Sequence, residues 1–203
     1  MDELIQQLIS EGYLKTPAII NAFRKIKRAD FLPADLILEE SVNAPLLIGH
    51  GQTISQPLTV AFMFELLQPK MGQKVLDIGS GSGWTAAMLA EIVGAKGNIF
   101  AIERIAGLKE FGQRNVAKYN FSNVEFFCRD GTKGLPNHAP FARIIVSAAA
   151  FEIPSELKEQ LAIGGRMVIP TEAQDIRLIE KITEAKYKEI IYPGFVFVPL
   201  IEG

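Results

Sequence analysis

Apolar residues recur along this chain with two different periods. Within residues 2–10 the apolar positions are Leu4, Ile5 and Leu8, and within 17–28 they are Ile19, Ile20, Phe23 and Ile26. Spacings of three and four residues place each set on one face of an α-helix. Thr16-Pro17 is a start signal for the second helix, a capping residue followed by proline at the first helical position. Residues 30–56, with Pro33 and Pro45, carry no regular period. Leu58 to Leu67 is helical again, and Ser55 or Gln56 with Pro57 starts it.

From Lys74 the pattern alternates. Short apolar runs (KVLDI, NIFAI, NVEFF, ARIIVS and RMVIP) are separated by helical stretches at 84–93, 108–119 and 155–161, with Gly164-Gly165 as the stop of the last. Strands apolar on both faces belong in a parallel sheet covered by helices on each side and joined by right-handed crossovers. IRLIEKIT and GFVFVPL are two further strand candidates with no helix between them, so they are expected to pair antiparallel at one edge. The pattern therefore predicts a Rossmann-like, doubly wound α/β fold. Its sheet is mostly parallel, with an antiparallel C-terminal edge and helices at the N-terminus.

Composition narrows this further. A chain of 203 residues, 48% hydrophobic and 22% charged, suits one domain with one sizeable core. A net charge of −2 argues against nucleic acid or an anionic membrane as the main partner. The densest basic run, Arg24, Lys25, Lys27 and Arg28, reads as a solvated helix face. No apolar run approaches the ~20 residues of a membrane span, and MDELIQQLISEG lacks the basic start of a secretory signal. Cys128 is the single cysteine, so no internal disulfide forms and a reducing, cytoplasmic location is expected. Its place in the strand-like VEFFCRD reads as a buried, inert thiol. No metal site is expected.

Three features fall at the carboxyl ends of predicted strands, where open parallel sheets bind ligands. DIGSGSGW, from Asp77 to Trp84, offers Gly79 and Gly81 for close backbone approach and Gly83 to open the next helix. Its G-x-G-x-G spacing differs from the dinucleotide fingerprint and lacks the lysine of a P-loop. Beside it, Asp77 suits a ligand bearing positive charge or hydroxyls. Glu103 ends the next strand, and a carboxylate there can accept both hydrogen bonds from a ribose diol. Asp130 and Gly131 follow the third strand, where aspartate could accept from an adenine amino group. Together the three point to a nucleoside ligand. Separately, IGHGQTISQP (48–57) holds two glycines, His50, two side-chain amides and two hydroxyls, more polar chemistry than a connection requires.

These residues resemble the motifs of class I S-adenosylmethionine-dependent methyltransferases. Nearly the whole chain resembles one family of them, the protein-L-isoaspartate O-methyltransferases. The resemblance rests on RADFLP (28–33), IGHGQTISQP (48–57), VLDIGSGSGW (75–84), RDG (129–131), SAAAFEIP (147–154), GGRMVIP (164–170) and FVPLI (197–201) in order and spacing. It implies methyl transfer from S-adenosyl-L-methionine, leaving S-adenosyl-L-homocysteine, to the side-chain carboxylate of L-isoaspartyl residues in proteins and peptides. The ester then passes through a succinimide back to aspartate.

The resemblance also assigns residues. Thr53, Ile54, Ser55, Gln56 and Arg104 join Asp77, Gly79, Gly81, Gly83, Glu103, Asp130 and Gly131 around the cofactor. His50, Gln52, Ile54, Ser55, Val198, Pro199 and Leu200 face the peptide. Ser55 is the catalytic candidate, a donor that would orient the carboxylate. Its hydroxyl could instead cap the following helix. A carboxylate is already ionised near neutral pH, so His50 is not needed as a general base. The chain is expected to be a monomer, with residues 1–57 as helical cap and substrate-side loop and 58–203 as cofactor-binding core. A different acceptor for the same cofactor, or a non-catalytic binder of isoaspartyl peptides, are the alternatives. Two departures from the family pattern, the glycine-free PTEAQDIRL and Phe151 in SAAAFEIP, bear on substrate access.

Overall fold

The structure is a computed structural model and describes residues 1–202. Helices α1 (Asp2–Ser10) and α2 (Pro17–Lys25) bury the predicted stripes, Leu4, Ile5 and Leu8 in one and Ile19, Ala22 and Phe23 in the other. The start of α2 is not capped by Thr16's own side chain. The Glu65 carboxylate in helix α3 (Pro57–Leu67) accepts instead, from the Lys15 and Thr16 N–H groups and the Thr16 hydroxyl, each at 2.7 Å. A long-range carboxylate thus does the work of a local cap. The helix stops three residues short of the predicted end, and a 3₁₀ turn follows at Arg28–Phe31.

The aperiodic stretch contains a second 3₁₀ turn, Ala34–Glu39, and a two-stranded antiparallel hairpin of β1 (Leu46–Gly49) and β2 (Gln52–Ile54). Strands of four and three residues are too short to leave an alternating signature. The remaining elements are β3 (Lys74–Ile78), α4 (Trp84–Val93), β4 (Asn98–Glu103), α5 (Ala106–Ala117) and β5 (Val124–Cys128). After them come β6 (Phe141–Val146), α6 (Ser155–Glu159), β7 (Leu161–Thr171), β8 (Asp175–Lys181) and β9 (Tyr187–Pro193). They form a seven-stranded sheet ordered β5-β4-β3-β6-β7-β8-β9, parallel through β7 and antiparallel at β8 and β9. The chain winds outward from β3 in one direction and then from β6 in the other, so the strand order switches between these two.

Apolar side chains fill both faces. The helices α1 to α5 share one cluster that includes Trp84, Phe23, Phe64 and Val75. The opposite face packs Leu157 of α6 with Phe141, Ile144 and Met167. Trp84 meets Phe23 edge-on at 5.7 Å between ring centres, which ties the N-terminal helices to the sheet.

Four sequence expectations are corrected here. The last strand is Tyr187–Pro193, not GFVFVPL; its half-polar sequence is that of an exposed edge, which carries no clean apolar run. GFVFVPL instead runs back across the end of the sheet, where Ala149 N–H donates to Val198 O and Leu200 N–H to Ala149 O, both at 2.7 Å. Gly164 and Gly165 do not stop a helix but lie inside β7, beside an irregularity in its register with β6. Cys128 is exposed rather than buried, because β5 is the other edge of the sheet. Arg28 is fully buried, not part of a solvated face. The glycine-free PTEAQDIRL forms the β7–β8 hairpin turn, with Gln174 taking the left-handed conformation at φ 60°.

Candidate active site

A cavity opens at the carboxyl ends of β3, β4 and β6, at the switch in strand order. Gly79, Ser80, Gly81 and Ser82 of the glycine loop form its floor. Gly79, Gly81 and Gly83 all have positive φ, at 74°, 49° and 84°. Gly83 has a packing reason as well: a Cβ there would stand 2.8 Å from the Gly112 carbonyl of α5, so the absent side chain lets α4 and α5 close together.

Glu103 anchors this loop. Its Oε2 accepts the Gly81 N–H at 3.0 Å and its Oε1 the Ile105 N–H at 2.9 Å. Each oxygen keeps a second lone pair, so a carboxylate held this way still presents two acceptors to the cavity that it lines. Gly131 lines the same wall, and a Cβ there would collide with Ile78 Cγ2. Asp130, one residue before, is fixed by the Thr132 N–H and hydroxyl, both 2.8 Å from its Oδ1.

Asp77 lies below the floor, fully buried at the end of β3. Thr85, which does line the cavity, donates to its Oδ2 at 2.8 Å. Its Oδ1 has no partner among the described residues, and neither does Ser80 Oγ in the loop itself. Burial is the main cause that pushes the Asp77 carboxyl up to about 7; the Thr85 hydrogen bond opposes it and the nearby Glu103 charge adds to it. Two orphaned polar atoms around a backbone cradle, with an acidic diol acceptor beside it, fit a nucleoside bearing a positively charged tail.

The other wall comes from the polar segment. Gln52, Thr53, Ile54 and Ser55 line the cavity, opposite Val198, Pro199, Leu200 and Ile201 of the C-terminal run. Ser55 does not cap α3. The cap position is Gln56, and Asn43 does the capping: its Oδ1 accepts the Leu58 N–H at 3.0 Å. Gln56 points away from the cavity, donating to Asn43 O at 3.0 Å and accepting from the Thr59 hydroxyl at 3.2 Å. The Ser55 carbonyl accepts from Arg28 Nη2 at 3.1 Å, and its hydroxyl has no hydrogen-bond partner among the described residues.

His50 also stays outside. It sits at the exposed tip of the β1–β2 hairpin, at φ 53°. Its imidazole covers Gly107 in the first turn of α5, where a Cβ would come within 3.0 Å of Nε2. Ile48 in the same hairpin reaches over Gly81. The hairpin therefore roofs the glycine loop.

The fold brings together most of the predicted residues: Thr53, Ile54, Ser55, Gly79, Gly81, Glu103, Arg104, Gly131, Gln52, Val198, Pro199 and Leu200 all line the cavity. His50, Gln56, Asp77, Gly83 and Asp130 are not among its lining residues. Sequence reading missed Ser80, Ser82, Ile105, Ser147 and Ala148. Ser147 and Ala148 follow β6, and the rule that ligands meet strand ends would have found them had the switch between β3 and β6 been placed.

A seven-stranded sheet with a reversed edge, and an acidic, glycine-floored cavity at its switch point, define a class I S-adenosylmethionine-dependent methyltransferase fold. The chain belongs to the protein-L-isoaspartate(D-aspartate) O-methyltransferase family, whose model matches residues 1–203. It is 42% identical to the protein-L-isoaspartate O-methyltransferase of Methanopyrus kandleri, over 98% of this chain and 90% of that one. Identity to the protein of the same name from Ignicoccus hospitalis is 43%, over 98% and 96%. Among solved structures, one named protein-L-isoaspartate O-methyltransferase superposes with a TM-score of 0.89 at 27% identity, covering 100% of this chain and 66% of that one. A Plasmodium falciparum chain solved in complex with S-adenosyl-L-homocysteine shares the fold, with a TM-score of 0.88 at 22% identity over 99% and 98%.

Proposed function

We infer that this protein methylates the side-chain carboxylate of L-isoaspartyl residues in damaged proteins and peptides, with S-adenosyl-L-methionine as donor. The observation that carries the reading is the match of the whole chain, including the polar segment and the C-terminal run that face each other across the cavity. When bound, the donor supplies a methyl carbon on a sulfonium; the carboxylate oxygen takes that carbon as the carbon–sulfur electrons return to sulfur.

The protein's own work is positional. The acceptor carboxylate is ionised at neutral pH, so no group has to remove a proton. Glu103 would hold the ribose hydroxyls, while the backbone at Gly79 and Gly81 would lie against the donor's amino-acid end. Ser80, in the same loop, would lie at that end as well. Arg104 and Gly131 would flank the base, and Asp130, one residue beyond the lining, would reach its amino group. Thr53 and Ile54 would close over the donor. Ser55 would donate to the isoaspartyl carboxylate and aim one oxygen at the methyl carbon. Alignment of this kind is where most of the rate arises when no proton moves. Val198, Pro199 and Leu200, with Gln52, would hold the peptide as an extended strand. Roofing by the hairpin would keep water out.

The enzyme would act as a cytoplasmic monomer, with residues 1–57 as its substrate-side cap. The lone, exposed cysteine suits a reducing compartment. No helix among the described residues is long and apolar enough to cross a membrane, and none of their His, Cys, Asp or Glu side chains cluster as metal ligands.

The test is methylation of two peptides that differ only in carrying isoaspartate or aspartate at one position, with labelled S-adenosyl-L-methionine. Label should enter the isoaspartyl peptide alone and be lost on standing as the ester forms a succinimide. Equal labelling would point to another carboxylate acceptor. Cofactor binding with no labelling would point to a non-catalytic binder.

A further inference from the structure

Arg28 is the largest charged side chain that the fold buries completely. Among the described residues no carboxylate pairs with it. Its guanidinium instead spreads over four main-chain carbonyls. Nη1 donates to Val42 O at 2.8 Å and, more weakly, to Glu40 O at 3.4 Å; Nη2 donates to Ala44 O at 2.8 Å and to Ser55 O at 3.1 Å. The plane lies over the Trp84 ring, 5.6 Å from its centre, and Trp84 itself lines the cavity. Burial draws the guanidinium down to about 10, with Glu40 opposing, so it remains charged at neutral pH.

Burying an unpaired cation is costly, and a hydrophobic residue would fill the same space more cheaply. What the arginine adds is geometry. Three of its carbonyls belong to the loop before the hairpin and the fourth to Ser55, so one planar fork sets the distance between that loop and the catalytic segment. Asn43, inside the same loop, holds Gln56 and Leu58: its main-chain carbonyl accepts from the Gln56 side-chain amide and its Oδ1 accepts the Leu58 N–H. Among the described residues Ser55 makes no other hydrogen bond, and it lines the cavity.

We propose that Arg28 is a positioning residue for methyl transfer, acting through the Ser55 carbonyl to aim the Ser55 hydroxyl at the acceptor carboxylate. Lysine cannot replace it, because a single ammonium cannot reach carbonyls on both sides of a planar fork. The proposal rests on Ser55 being the orienting donor, and the experiment separates the two ideas. Turnover of an isoaspartyl peptide, S-adenosyl-L-homocysteine affinity and thermal unfolding are measured for Arg28→Lys, Ser55→Ala and the double variant.

Arg28→Lys should lose about tenfold or more in kcat and keep its cofactor affinity within about threefold. The double variant should be no slower than Ser55→Ala, because an arginine that acts through Ser55 has nothing left to act on. Full activity in Ser55→Ala would sink the Ser55 reading. An impaired Ser55→Ala combined with unchanged kcat in Arg28→Lys, or with losses that multiply in the double variant, would overturn the role of Arg28. If Arg28→Lys does not fold, Arg28→Ala assayed with added guanidinium at non-denaturing concentration takes its place. Regained turnover supports the proposal, and none overturns it.

Discussion

At the scale of single residues, Asp77 is the group whose environment departs furthest from water. It is fully buried, with one oxygen paired to Thr85 and the other without a partner among the described residues, and its carboxyl is pushed up to about 7. In the unfolded chain the same group titrates near 3.9. Between those values the folded state keeps a proton that the unfolded state has released, so stability falls as pH rises through the window. Asp77→Asn removes the titration and keeps an acceptor for Thr85. The variant should gain stability relative to wild type between pH 5 and pH 8, by about 3 kcal/mol, because about two pH units of the window are crossed between pH 5 and 7. Denaturation at both pH values in the absence of cofactor reads this directly. A constant difference would mean that Asp77 is ionised throughout. The identity of this residue was legible from the glycine motif, but its burial beneath the floor was not, since nothing local distinguishes a carboxylate on a cavity wall from one behind it.

At the scale of elements, the β1–β2 hairpin is the part that sequence periodicity could not see. Its two strands are short, and three consecutive residues at its tip, Gly49, His50 and Gly51, have positive φ. The hairpin touches the cofactor-side framework through Ile48 over Gly81 and His50 over Gly107. This gives the histidine a place: it latches the roof to α5. His50→Ala should speed release of S-adenosyl-L-homocysteine several-fold in stopped-flow displacement. Gly107→Ala, which pushes the imidazole off its seat, should do the same. Release rates equal to wild type in both would show that the roof is held elsewhere. Capping tells a similar story. Thr16 and Ser55 both looked like local caps, yet Glu65 and Asn43 supply the acceptors from other elements. A serine or threonine before Pro is a sound signal for where a helix begins; it does not say which side chain satisfies the free amides.

At the scale of the whole molecule, the N-terminal helices and the sheet share one cluster, and the single tryptophan belongs to it. Trp84 fluorescence reports that junction, whereas far-ultraviolet circular dichroism reports all the elements. The two should give one coincident urea transition, because residues 1–57 have no separate core to unfold from. A fluorescence change preceding the loss of helix and strand would mean that the cap opens on its own. Saturation with S-adenosyl-L-homocysteine at a hundred times its Kd should move that transition by about 2.7 kcal/mol. For a chain of this size that is roughly 5–10 °C in Tm. Absence of a shift would show that the cofactor site is not formed in the native state.

What the chain alone determined was whatever depends on local order. Strand–helix alternation gave the parallel sheet, since runs such as KVLDI suit only a strand covered on both faces. The glycine loop, Glu103 and Gly131 pointed to the end of the sheet where the cavity opens, since ligands in such sheets meet strand ends. Tertiary structure decided what depends on distant partners. Arg28 reads as one more charge in a basic run, and only the carbonyls of Val42, Ala44 and Ser55 make its burial tolerable. Cys128 reads as core until β5 proves to be an edge. Ser55 and His50 stand five residues apart in one polar segment, yet one faces the cavity and the other clasps a helix. Period and composition record which residues prefer burial; the partner that satisfies a buried polar group comes from elsewhere in the chain, and no local pattern names it.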